Sequence, residues 1–137
     1  MNREDFQRLS KIRLREAKTL LDRRGYDGAY YLAGYAVECA LKACIAKKTK
    51  RYEFPDKKVV ERIYSHEFTK LLEAAGLKDE HRKQMDADRQ FEVTWNVVKD
   101  WSEQSRYRTT ERTQARDLYY AIAGRKHGVL RWLKKHW

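Results

Sequence analysis

The sequence predicts an all-α protein: an up-and-down bundle of about five helices forming a single domain, residues 1–137. Three observations predict it. Proline occurs once and glycine six times in 137 residues, whereas Ala, Leu, Glu, Lys and Arg, all strong helix formers, abound. Apolar residues recur three and four apart through most of the chain, the spacing of one helix face. No segment shows the period-two alternation of a half-buried strand. The length is enough for a core that needs no staples.

The elements follow in order. A first helix over residues 3–24 can be capped by Asn2, with Asp5 at the position that suits both the capping pattern and the positive helix end. Phe6, Leu9, Ala17 and Leu20 form its apolar stripe, interrupted by Arg13, whose aliphatic stem can lie along the core edge. Gly25 is placed to end this helix.

Asp27 is expected to cap the second helix, YDGAYYLAGYAVECALKACIAKK. Ala29, Leu32, Ala33, Ala36, Val37, Ala40, Leu41, Cys44 and Ile45 make its stripe, beside a row of Tyr31, Tyr35, Glu38 and Lys42. Small residues on both sides, Gly34 included, permit close helix approach and mark it as central to the bundle. Residues 47–55 read as a polar, basic connection and residues 56–64 as a short helix using Val59, Val60 and Ile63. Ser65 is expected to cap the next helix, HEFTKLLEAAG, with Gly76 as its stop.

A fourth long helix is expected over residues 79–101, charged in its first half and carrying Phe91, Trp95 and Val98 in its second. SEQSRYRTTERT reads as a loop. Thr110 is expected to cap the last helix, which holds Ala115, Leu118, Ile122, Val129, Leu130 and Leu133. Gly124 and Gly128 interrupt that helix at about 1 kcal/mol each relative to alanine, so a packing contact or a kink is expected there.

The net charge of +11 favours polyanionic partners such as nucleic acid, nucleotide, an acidic protein or an anionic surface. The charge is skewed. Residues 106–137 carry nine Lys/Arg against two Asp/Glu, whereas residues 51–100 carry ten against eleven. The N-terminus lacks the continuous apolar run of a signal peptide, and no segment is long enough to span a bilayer, so a cytoplasmic protein without a membrane partner is expected. Cys39 and Cys44 lie five apart on one helix, beyond disulfide reach, and are expected to be buried free thiols.

The pieces EAKTLLDRRGYDGAYYLAGYAVECALKACIAK, SHEFTKLLEAAG and RKHGVLRWLKKHW resemble the HEPN family, in its small prokaryotic branch associated with toxin–antitoxin pairs and nucleotidyltransferases. The resemblance spans nearly the whole chain and implies a helical bundle. It also implies one of three roles. Many relatives are metal-independent ribonucleases that act as dimers; others are catalytically silent partners of small nucleotidyltransferases; others bind nucleotides. The ribonucleases carry an Arg and a His a few residues apart in the closing helical region, paired across a dimer cleft and often assisted by a polar residue of helix two. Here Arg131 and His136 have four residues between them, although on an intact helix they point about 140° apart. Arg62 and His66 are closer than that spacing and lie earlier in the chain.

Expected site residues follow from both lines of reasoning. Glu38 and Lys42, four apart, form either a polar clasp within the bundle or the helix-two wall of the family's cleft. Arg106, Arg108, Arg112, Arg116, Arg125 and Lys126 make a broad basic surface, with Tyr119 and Tyr120 among them. Interleaved cations and rings suit single-stranded RNA, which needs phosphate neutralisation and a flat face for a base. The acidic DAD at residues 86–88 reads as a solvated helix face, and the histidines lack zinc spacing with the cysteines. With no glycine-rich phosphate loop or nucleophile elbow, no cofactor and no metal are expected. The leading expectation is a non-catalytic HEPN module that forms a homodimer and binds RNA, a nucleotide or a nucleotidyltransferase. One alternative is an endoribonuclease using Arg131 and His136, and another is a pure protein-interaction partner.

Overall fold

A computed structural model describes residues 1–49 and 57–137. These form eight α-helices: α1 (Arg3–Asp22), α2 (Tyr26–Lys48), α3 (Lys57–Ile63), α4 (Phe68–Ala74), α5 (Lys78–Ala87), α6 (Arg89–Val98), α7 (Arg112–Ala123) and α8 (Val129–Lys134). A 3-10 turn, Glu103–Tyr107, precedes α7, and no strand occurs among the described residues. The expected all-helical bundle is borne out. Residues 50–56 lie outside the described residues; of the expected 47–55 connection Lys47 and Lys48 instead close α2, and the expected 56–64 helix is α3.

The bundle is organised by α2. Every residue from Ala36 to Leu41 is buried, so for more than a full turn this helix has no solvent face. It packs on α1, α4, α7, α8 and the 3-10 turn. Alanine and glycine make that possible, because a small side chain lets a neighbour approach the helix axis. Gly34 is the clearest case: the indole of Trp101 lies across it where any Cβ would stand. That indole stacks on Phe68, with centroids 5.2 Å apart and planes 3° from parallel. Around α2 the core is closed by Leu71, Phe91, Trp95, Leu118, Ile122 and Leu133. Cys39 and Cys44 are buried free thiols, raised by desolvation to about 11 and about 12.

Several boundaries differ from expectation. Asn2 and Asp5 do form the reciprocal capping box of α1. Gly25 serves as the N-cap of α2, however, and Asp27 in its first turn accepts a hydrogen bond from the backbone N–H of Thr110. Thr110 is therefore not the cap of α7; Glu111 holds that position and makes no side-chain capping bond. Ser65 accepts from the Glu67 N–H at 3.0 Å in a turn before α4, whose N-cap is Glu67. Gly76, at φ +70°, stops α4 in the left-handed conformation that glycine adopts freely.

The expected 79–101 helix is two helices. Asp88 is extended, ends α5, and caps α6 by accepting from the N–H groups of Gln90 at 3.0 Å and Phe91 at 3.2 Å. Its other oxygen meets His127 Nδ1 at 2.8 Å. The side chain offers the backbone an alternative to helix, and the distant histidine fixes it there. The last helix likewise divides into α7 and α8. The intervening turn is pinned by Thr94, whose hydroxyl donates to the His127 carbonyl at 2.8 Å. Gly128 lies so close to the Gly124 carbonyl that a Cβ would not fit. The C-terminal end is tied back to α1, since the Arg3 guanidinium donates to the Trp137 carbonyl at 2.6 Å.

Candidate functional site

Two clusters stand apart from the apolar packing. The first is built on Glu38, which is 2 % exposed in the middle of α2. A lone carboxylate buried so deeply would be costly, and both of its oxygens are engaged. One meets Lys42 Nζ at 3.3 Å, one turn along the helix. The other meets His66 Nδ1 at 2.6 Å, from the link between α3 and α4. The far nitrogen of His66 meets Glu103 Oε2 at 3.0 Å, at the start of the 3-10 turn. A carboxylate therefore faces each ring nitrogen, hydrogen-bonded at Nδ1 and at ion-pair distance at Nε2. The chain Lys42–Glu38–His66–Glu103 joins three segments distant in sequence and leaves the imidazole partly open to solvent.

The second cluster is an open groove of about 660 Å³ where the turn between α1 and α2 meets α7. It is lined by Leu21, Asp22, Arg24 and Tyr26 on one side and Arg112, Arg116 and Tyr120 on the other. Arg24 adopts φ 66°, the left-handed region a non-glycine residue seldom enters, because the chain must turn there between two long helices. Arg112 and Arg116 are one helical turn apart on α7. The Arg116 guanidinium lies 5.8 Å from the centroid of Tyr120, and the Tyr119 ring stands edge-on to Tyr120 at 5.1 Å. Asp22 is the acidic lining residue, and both its oxygens are held by Lys18 Nζ, at 2.6 and 2.8 Å. The Asp27–Thr110 bond ties the two sides of the groove together.

The sequence-selected residues thus separate. Glu38 and Lys42 belong to the first cluster, Arg112 and Arg116 to the second. Tyr119 is half-buried against the core, with its phenol pushed up mainly by burial, and Tyr120 is the exposed member of that pair. Arg106 and Arg108 are exposed near the end of the 3-10 turn, the former with its guanidinium 4.8 Å from the Tyr107 ring. Arg125 and Lys126 are exposed on the α7–α8 turn. The Arg131 guanidinium reaches back to the carbonyls of Arg125 and Lys126. His136 leans instead on Trp132 with centroids 4.8 Å apart, and desolvation lowers its pKa. Arg131 and His136 are not brought together within this chain. Sequence reasoning did not assign Glu103, Arg24 or Tyr26 to a site, and it named His66 only for its unsuitable spacing from Arg62. The one available signal was the arginine-bearing RRGYD turn between two long helices.

No group of three or more potential metal-ligating side chains occurs among the described residues, and no helix among them is long and apolar enough to cross a membrane. Among curated proteins and solved structures, none matches this chain. The model of the HEPN domain matches residues 4–136, essentially the whole bundle from the first turn of α1 to the end of the chain. By that match, the chain belongs to the HEPN domain family.

Proposed function

We propose that this HEPN domain is a binding module for RNA or a nucleotide, acting through the basic surface of α7 and its approach. The observation that supports the reading is one groove lined by Arg24, Arg112 and Arg116 together with Tyr26 and Tyr120. Guanidinium groups neutralise phosphates and the rings offer stacking faces, the pairing that single-stranded nucleic acid requires. Arg106 and Arg108 extend the same positive field. The module works as a homodimer in the cytoplasm, and a small nucleotidyltransferase is a further partner for the same charge.

The test is a labelled single-stranded RNA incubated with the protein in EDTA at two salt concentrations, with binding and cleavage read from the same samples. Binding is expected to weaken steeply with salt. In an Arg112→Ala/Arg116→Ala variant the log–log salt slope is expected to fall by about 1.4, since each phosphate contact on a single strand contributes about 0.7. An unchanged affinity and slope would remove the groove from the reading.

Endonuclease activity is the second reading, and the observation favouring it is an imidazole oriented by a buried carboxylate, His66 on Glu38. In such an enzyme a histidine takes the proton of a ribose 2′-hydroxyl and an arginine stabilises the charge that develops at phosphorus. Metal-independent cleavage lost in His66→Ala would establish that site. Loss in Arg131→Ala or His136→Ala would instead point to the tail pair, which would then have to be completed by a second copy of the chain.

A further inference from the structure

The groove between the α1–α2 turn and α7 has a size and a charge that select among phosphate ligands. We propose that it is a seat for one terminal nucleotide carrying a 5′-phosphate monoester, with the arginines on the phosphate and Tyr120 under the base. This rests on reading the groove as the nucleic-acid or nucleotide site.

Size is the first argument. At about 660 Å³ the groove falls in the range of small-ligand sites, roughly 300–1,000 Å³. A surface that tracks a continuous strand occupies about 4–16 nucleotides and is a long channel. Seven residues line this groove, drawn from the end of α1, the turn after it, the first residue of α2 and the first three turns of α7, a footprint suited to a single unit.

Charge is the second. An internal phosphodiester carries one negative charge, whereas a terminal phosphate monoester carries about −1.5 to −2 near neutral pH. Three guanidinium groups line the groove, and its acidic residue, Asp22, is already matched by Lys18 through both oxygens. The positive excess is therefore well above what one diester needs. The first residue of α7 also lines the groove, so the positive end of a 12-residue helix lies at its edge, offset in part by the Glu111 carboxylate at the N-cap. Arginine suits this ligand because its planar fork matches phosphate oxygens in pairs.

The rings are placed to complement the phosphate site. Tyr120 is 49 % exposed, stands perpendicular to Tyr119 with centroids 5.1 Å apart, and has the Arg116 guanidinium 5.8 Å from its ring centroid. Base and phosphate groups thus have adjacent partners on successive turns of one helix. Tyr26 stands at the opposite wall. The seat differs from the Glu38–His66 cluster in every residue, so its occupancy can be tested without touching that cluster.

Two sources offer this chemistry, a free nucleoside 5′-phosphate and the 5′ end of an RNA strand. The experiment compares 3′-labelled single-stranded RNA of one sequence with either a 5′-phosphate or a 5′-hydroxyl, at one salt concentration. AMP, adenosine and inorganic phosphate serve as competitors. The variants are Arg24→Gly, which removes the side chain and relieves the left-handed backbone, Arg116→Ala, and the pair Tyr120→Leu and Tyr120→Phe. Circular dichroism verifies that each remains folded.

The 5′-phosphate strand is expected to bind about tenfold or more tightly, the scale of one or two charge-assisted hydrogen bonds. Arg24→Gly and Arg116→Ala should abolish the preference, and Tyr120→Phe should retain affinity that Tyr120→Leu loses. Competition by AMP but not adenosine would assign the seat to free nucleotide as well; phosphate-dependent binding without such competition would assign it to RNA ends. Equal affinity for both strands, weakened alike in Arg116→Ala, would overturn the terminal-phosphate inference and leave the RNA-binding reading standing. RNA binding untouched by every groove variant, or no binding of RNA or nucleotide at all, would overturn both.

Discussion

Replacing Gly34 by alanine sets two effects of opposite sign against each other. In an exposed helix the change gains about 1 kcal/mol, because alanine loses less backbone entropy on folding. Here the added methyl would overlap the indole of Trp101 at Cδ1, Nε1 and Cε2. Restoring a normal carbon–carbon separation of about 3.5 Å would shift the ring by more than about 1 Å. Trp101 is 4 % exposed and stacked on Phe68, so it has no free direction in which to move. Expelling it would cost about as much as truncating a buried aromatic ring, about 3–5 kcal/mol. The net expectation is a loss of about 2–4 kcal/mol. For 137 residues with an unfolding entropy of about 2.1 cal/mol/K per residue, this lowers Tm by about 7–14 °C. Thermal unfolding of the parent, Gly34→Ala, Trp101→Leu and the double variant measures it. The double variant should lose clearly less than the sum, because leucine vacates the space the methyl needs. An unchanged or higher Tm for Gly34→Ala, or strictly additive losses, would refute the view that this glycine is held by tertiary contact.

Two further outcomes are expected. Glu38→Gln keeps the side-chain volume and removes the charge between Lys42 and His66; breaking a buried pair costs about 3–5 kcal/mol, but His66 retains solvent access, so a loss of about 1–3 kcal/mol with faster amide exchange in the 3-10 turn is expected. A loss under about 0.5 kcal/mol would show the cluster to be structurally idle. His81 sits among Phe91, Trp95 and Trp132 with its Nε2 unpartnered, and burial lowers its pKa. The unfolded chain then binds more protons just below pH ~6.5, so stability present above that pH falls as pH drops through it. His81→Phe should make urea-unfolding stability fall less between about pH 7.5 and about pH 5.5, with His136, lowered in the same sense, still contributing. An undiminished slope would show that the acid sensitivity lies elsewhere.

What the sequence disclosed was local or additive. The Asn2–Asp5 capping box, the central position of the alanine-rich helix and the skew of charge toward the last third all follow from spacing and composition. Asp88 illustrates what did not. On either side of it the pattern remains helical, and an aspartate in an exposed helix is unremarkable; the break at Ala87 depends on His127, 39 residues away. Glu38 was legible as a polar residue in need of partners, but its contact with His66, and that ring's contact with Glu103, depend on how α4 and the 3-10 turn pack on α2.

The groove shows the same division most sharply, because one half of it could be read and the other could not. Arg112 and Arg116 were visible as a basic helix face. Arg24 and Tyr26 looked like the end of one helix and the start of the next. What joins them is the Asp27 carboxylate, which accepts the Thr110 N–H and fixes the approach to α7 against the first turn of α2. That carboxylate was expected to cap its own helix, a role in which it would contribute only to local stability. Spent instead on a residue 83 positions away, it sets the distance between two groups of arginines. Charge counting can say that a polyanion is favoured, but the number of phosphates accommodated is a property of that distance, and therefore of tertiary structure.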